Sequence, residues 1–333
     1  MTETAGEPVE DAAPQAPRRP REDAPAAQAE PAAEPLPAVV RAQLPGPGEL
    51  NLDHVAHFVP DPEAARKALE RLGFTVTPFS EQQHRTEADG PLAPAGTGNR
   101  CVMFRRGYVE FLSPLADTPM AAQLNAAIAR YVGVHLVAFG TQDPDGDHTR
   151  LAREQFNPLH PVALQRRIGT PEGEDTARFT VVRVPPGTMP EGRIQFCRHH
   201  TPQLVWQNRW LAHRNRAVGL RSVILCVQDP DEAAGRYRRF TGLGPEREAR
   251  GWRLTSARGN VLIWGPEATG QALNLKPPAL PWVAGYVLLS SDLRETKRVL
   301  HDGKFATHPF GERAIAVTAP PELGGVVIFS DAA

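Results

Sequence analysis

The chain has 333 residues, enough for two ordinary domains, and a formal net charge of -1 at pH 7. With both signs interspersed, that balance gives no global field favouring nucleic acid or a membrane surface. Cys101, Cys197 and Cys226 sit in apolar runs without metal-type spacing, which argues against a disulfide framework and fits a reducing cytoplasm. No apolar run approaches the roughly 20 residues of a membrane span, and no basic-then-apolar leader opens the chain.

Residues 1–48 are mostly Ala, Pro, Glu, Gln and Arg, with no aromatics and almost no aliphatic residues before Val39. Such a stretch cannot bury enough apolar surface to offset its ordering entropy, so a disordered tail is expected. "NLDHVAHFVPD", Asn51 to Asp61, then reads as a strand delivering the chain to a helix-capping Asp-Pro. Ala64, Ala65, Ala68, Leu69 and Leu72 follow at helical spacing, and Gly73 supplies the stop.

That opening has three echoes: "HLVAFGTQD" from His135, "SVILCVQD" from Ser222 and "GYVLLSSD" from Gly285. Each is an apolar strand ending at an aspartate. The ends of the units agree too. "GYVE", "GRIQ", "GNVL" and "GVVI" place Glu110, Gln195, Leu262 and Ile328 at one shared position, followed by a large apolar residue. Short strand-like runs lie between, so the unit is one strand, one helix and three strands, repeated four times. "DPDGDH" from Asp143 fails the calcium-loop spacing and reads as a helix start.

A βαβββ unit repeated in pairs, with His near its start and Glu in its last strand, resembles the vicinal oxygen chelate superfamily. The wording of "LDHVAHFVPD", "GTGNRCVMFRRGYVEFLSP" and "GRIQFCRHHTPQLVW" is similar to glyoxalase-like domain proteins, with the resemblance running from about Leu50 to Ser330. It implies an α+β fold in which each pair curves an eight-stranded sheet around a cavity. The expected division is a tail over 1–48, a metal-bearing pair over 49–210 and a degenerate pair over 211–333. The second pair is expected to stabilise the fold, cap the cavity or form a homodimer surface.

Side chains alternate faces along a strand, so His54 and His57 point to opposite sides. Aligning the repeats sets His135 opposite His54 and Phe139 opposite Phe58, which leaves His57 to pack on the helix side. The first pair then carries His54, Glu110, His135 and Gln195, where the second has Ser222, Leu262, Gly285 and Ile328. The chain supplies its own control: apolar or small residues suffice for structure. A divalent transition metal (Zn, Mn, Fe, Ni or Co) held by His54, Glu110 and His135, with Gln195 ligating or holding a water, explains the polar set.

The resemblance implies a metal that stabilises an enediolate-type intermediate of a small carbonyl substrate in a lyase or isomerase, with Glu110 as the catalytic carboxylate. Gln195 stands where glyoxalase I has its proton-transfer carboxylate. An Fe(II) extradiol-type dioxygenase and a non-catalytic bleomycin-resistance-like binding protein are the alternatives. Phe58, Asn99, Arg100, Phe139 and His200 are expected to line the substrate site, with Asn99 and Arg100 reaching a substrate anion.

Overall fold

In the computed structural model, which describes residues 36–85 and 91–332, the four aspartates that end the echoed strands each cap a helix. A short helix, α1 (Ala38–Arg41), precedes the first unit. That unit comprises β1 (Asn51–Phe58), α2 (Pro62–Arg71), β2 (Ser80–Arg85), β3 (Leu92–Met103) and β4 (Tyr108–Pro114). α3 (Pro119–Arg130) leads into the second: β5 (Gly133–Gly140), α4 (Pro144–Arg153), β6 (Val162–Thr170), β7 (Gly173–Arg183) and β8 (Arg193–His199). After α5 (Pro202–Val205) come β9 (Ala217–Cys226), α6 (Pro230–Thr241), β10 (Pro245–Glu248), β11 (Gly251–Thr255) and β12 (Asn260–Trp264). α7 (Pro266–Leu273) precedes the fourth unit: β13 (Trp282–Ser290), α8 (Leu293–Asp302), β14 (Thr307–Pro309), β15 (Ala314–Thr318) and β16 (Val326–Asp331).

Asp61, Asp143, Asp229 and Asp292 accept hydrogen bonds from backbone N–H groups in the first turns of α2, α4, α6 and α8. Those donors have no partner inside a helix, so each cap is worth about 1 kcal/mol.

The first two units close a ring in the order β1-β4-β3-β2-β6-β7-β8-β5, with β5 returning to β1. The fold is therefore α+β, with a closed mixed eight-stranded sheet, as the resemblance implied. The other two units form the row β10-β11-β12-β9-β13-β16-β15-β14, in which β10 and β14 do not pair. β5 meets β13 at Val134 and Val283. Ile224, Trp264, Trp282, Val287 and Ile328, with α7's Leu273, fill the second sheet's concave side with apolar side chains. Helix-side residues of all four units share one core, including Leu69, Leu151, Phe240 and Leu300.

The expected tail over residues 1–35 lies outside the described residues. For 36–48 the structure corrects the expectation. Val40 and Gln43 are buried, and Gln43 donates to the Arg105 carbonyl at 2.7 Å while its own oxygen accepts from Gly107 and Arg258. One well-placed amide ties this sparse segment to units one and three, a tertiary contact that composition does not report. "GTGNR" is part of β3. Among the described residues no helix is long and apolar enough to cross a membrane.

Candidate functional site

The parallel ladders show which residues are equivalent. β1 pairs β4 with Ala56 beside Glu110, and β5 pairs β8 with Ala138 beside Gln195. Glu110 and Gln195 are thus true counterparts. One step away, His54 faces Tyr108 and Leu136 faces Arg193, so the counterpart of His54 is Leu136. The expected alignment slipped by one residue: the ladders set His135 opposite Asp53, so matching histidine to histidine is off by one. Ala56 pairs Leu136 and the next pair is His57 with Val134, which leaves His135 as the extra residue of a bulge. A one-residue shift moves a side chain to another face. His135 accordingly leaves the cavity. Its Nε2–H donates to the Tyr131 carbonyl at 2.8 Å, and its ring stacks between Tyr131 and Phe58. Burial pushes its pKa down to about 4.

The equivalent bulge lies in β1, at the counterpart of His135. Leu52 pairs Phe139 and the next pair is His54 with Ala138, so Asp53 is the extra residue of β1. The bulge brings consecutive side chains together, and Asp53 Oδ2 accepts from His54 Nδ1 at 2.7 Å. The same oxygen accepts from His199 Nε2 at 2.9 Å. Burial opposes ionisation of Asp53, yet His199 and His54 outweigh it and hold the carboxyl well below the usual carboxylate range. With its Nδ1–H committed, His54 presents Nε2 to the cavity, 3.9 Å from Glu110 Oε2. Tyr108 stacks on the other face of the imidazole, with centroids 4.4 Å apart.

Glu110 is fixed from its other oxygen. Asn99 Nδ2 donates to Oε1, as does Gln82 Nε2 at 3.4 Å, and Arg166 donates to Asn99 Oδ1 at 3.3 Å. Opposite, Arg183 Nε donates to Gln195 Oε1 at 3.2 Å, and Arg193 Nη2 donates to Gln123 Oε1 at 3.3 Å. Arg166, Arg183 and Arg193 all line the cavity with His54, Glu110 and Gln195. Burial, reinforced by the nearby Arg183 charge, pushes Arg193 down to about 9.

Residues 52–241 match the family model described as a glyoxalase-like domain. The chain belongs to that family. Its fold is that of the vicinal oxygen chelate superfamily. A hypothetical protein from Staphylococcus aureus aligns over 85% of this chain and 99% of its own, at 11% identity and a TM-score of 0.57. A xylose isomerase-like TIM barrel/4-hydroxyphenylpyruvate dioxygenase fusion protein aligns over 87% of this chain and 50% of its own, at 12% identity and a TM-score of 0.50. A mutant 4-hydroxymandelate synthase from Streptomyces coelicolor covers 85% of this chain and 92% of its own, with 14% identity and a TM-score of 0.49. At these identities the likeness is one of fold. A comparison with curated proteins gave no match.

The ligand set expected of this glyoxalase-like chain is not assembled. His135 is turned away, Leu136 stands in its place, and the Gln195 oxygen is engaged by Arg183. His54 and Glu110 remain as two donors in a wall with three guanidiniums, which repel a dication. Asp53, Cys197 and His199 do bring donor atoms within 4.8 Å of one another, the one such grouping of three among the described residues. Its Asp53 oxygen joins two imidazoles, so the cluster is a hydrogen-bonded network whose three donors could also hold a metal ion. The residues present therefore do not fit the four-donor site.

The remaining expectations divide. Asn99 lies in the cavity, and Phe58 lines its mouth under Arg193, 5.6 Å from ring centroid to guanidinium. Phe139 is in the helix-side core beside Phe196, because it follows His135 in the slipped alignment. Arg100 pairs with Glu63 outside the cavity. His200 is exposed and bonds Thr180. Its neighbour His199 points inward, as alternation from Gln195 through Cys197 required. His57 packs, but against unit four: Nδ1–H donates to the Leu323 carbonyl at 2.7 Å and Nε2 meets the Tyr286 hydroxyl at 3.2 Å. Sequence reasoning missed Asp53, Arg166, Arg183, Arg193 and Gln82.

Proposed function

We propose that the chain is a glyoxalase-like lyase or isomerase that moves a proton next to the carbonyl of a small substrate. The observation that carries this reading is the Asp53–His54 pair, whose free Nε2 faces Glu110 across a cavity walled by arginines. Asp53 fixes the tautomer and orientation of His54, leaving Nε2 to take a proton from the carbon beside the carbonyl. The charge that develops on the substrate oxygen meets the guanidinium wall, which needs no reorganisation to receive it. Glu110, held by Asn99 and Gln82, exchanges the hydroxyl proton of the resulting enediol, and His54 returns its proton to the neighbouring carbon. Three free, buried cysteines fit a reducing cytoplasmic setting.

The test is solvent exchange. Small 2-oxo and 2-hydroxycarbonyl compounds are incubated with the protein in deuterated buffer and followed by proton NMR. Deuterium should enter the carbon beside the carbonyl with wild type and not with His54→Gln. No exchange on any compound of the panel would refute the reading. Turnover that consumes oxygen would support the dioxygenase alternative instead.

A further inference from the structure

We infer that Arg183 and Arg193 anchor an oxyanion of the substrate, a carboxylate or phosphoryl group, at the neck between the cavity and its mouth. The first observation is register. Arg183 on β7 faces Gln195 on β8, and Arg193 lies two residues before Gln195 on the same face of β8. The two guanidiniums therefore rise as diagonal neighbours, within reach of one ligand.

The second observation is charge. Asp53 is matched by His54 and His199, and Glu110 is matched through Asn99 by Arg166. Among the described residues no carboxylate forms a salt bridge with Arg183 or Arg193. Each donates one side-chain hydrogen bond, to a neutral glutamine oxygen. A guanidinium has five N–H donors, so most of the donors of this pair are uncommitted. Glu110 attracts both from a distance but contacts neither, so two like charges lie side by side with no carboxylate in contact, a cost that a bound anion relieves. Paired guanidinium forks match carboxylate and phosphoryl oxygens.

Position supplies the third. Both arginines line the inner cavity and also its mouth. The mouth continues outward over Phe58, Met120, Ala127, Val184, Pro185 and Met189. The fitting ligand is an organic anion: its reactive carbonyl lies inward towards His54, its charged group sits at the arginine pair, and its apolar remainder fills the mouth. This deepens the catalytic reading and rests on it for the carbonyl, but anion binding stands on the arginines alone.

The full chain is titrated calorimetrically with pyruvate, with inorganic phosphate, and with pyruvamide as a neutral relative of pyruvate. At least one anion should saturate the protein while the amide does not. Tighter pyruvate assigns a carboxylate, and tighter phosphate assigns a phosphoryl group. Arg183→Gln and Arg193→Gln should each weaken the preferred anion about tenfold or more, the loss of one charge-assisted hydrogen bond. Arg193→Lys should recover part of that loss and guards against misfolding of the glutamine variant, with circular dichroism as the check. Absence of saturable anion binding, equal binding of the amide, or unchanged affinity in both glutamine variants would overturn the inference. Anion binding that survives in His54→Gln, with wild type giving no solvent exchange, would sink the proton-transfer reading and leave the anchor standing.

Discussion

Lowering the pH from about 7 to about 5.5 should remove roughly 4 kcal/mol of folding stability through three buried histidines. His57, His135 and His213 each have a pKa pushed down to about 4, chiefly by burial. Hydrogen bonds show why at His213. The Thr75 backbone N–H donates to Nδ1 at 3.0 Å, and Nε2–H donates to the Met103 carbonyl at 2.8 Å. Both ring nitrogens are in use in the neutral form, and a second ring proton would point at the Thr75 donor. His57 is likewise held neutral between the Leu323 carbonyl and the Tyr286 hydroxyl. In the unfolded chain these rings titrate near 6.5, so the unfolded state binds more protons between about 6.5 and 4, and stability falls with pH through that window. Each site contributes about 1.2 kcal/mol over the stated drop, a large part of the total when summed. Asp53 does not act there. Its depressed pKa adds stability above its unfolded value near 3.8 that is lost only at lower pH. Equilibrium urea unfolding at the two pH values, with NMR titration of the histidine ring protons, checks this. A ring signal from any of the three titrating near 6.5 in the folded protein would refute the reasoning.

Asp53→Asn removes the negative charge shared by both imidazoles and frees the His54 tautomer; it should slow solvent exchange by about two to four orders of magnitude in the same NMR assay. His135→Ala removes a buried hydrogen bond and a stacked ring, costing about 1 to 3 kcal/mol in urea unfolding, with calorimetric anion affinity unchanged. Glu191→Ala removes the buried carboxylate that accepts from Arg236 at 2.8 and 2.9 Å and leaves Arg236 paired with Glu232 on its own helix; it should destabilise by about 1 to 3 kcal/mol in the same unfolding measurement. Leu136→His with Gln195→Glu places donors at the two positions equivalent to His54 and Glu110. Calorimetry should then show one divalent zinc or nickel ion bound per chain, and His135→Ala in that background should leave it bound.

The fold was legible because its signals are local and repeated. Asp-Pro caps, apolar strands and the glycine three residues before Glu110 each recur, and four agreeing copies leave little room for another architecture. Glu110 and Gln195 were legible for the same reason, since the shared glycine fixes their register. His135 was not. Its strand and its capping Asp143 were read correctly, but similarity aligned histidine with histidine, whereas the spacing to the capping aspartates sets His135 opposite Asp53. Arg183 and Arg193 were invisible for a different reason. Arginine on a strand is ordinarily a solvated edge residue, and only closure of β7, β8 and β5 against β1 turns these two inward. Gln43 escaped because a lone glutamine in a polar segment carries no pattern.

The two bulges together decide what chemistry this cavity can support. Asp53 and His135 are the extra residues of equivalent bulges, each one residue before a cavity-lining residue, His54 and Leu136. The first strand therefore sets a carboxylate behind an imidazole, whereas the fifth sets its imidazole beside a leucine. Leu136 and the Arg183-bound Gln195 then complete a half-site suited to an anion, opposite a half-site suited to a proton. A cation would have to displace the Arg183 hydrogen bond and sit among guanidiniums with two donors, and that charge balance favours an anion over a cation in this cavity.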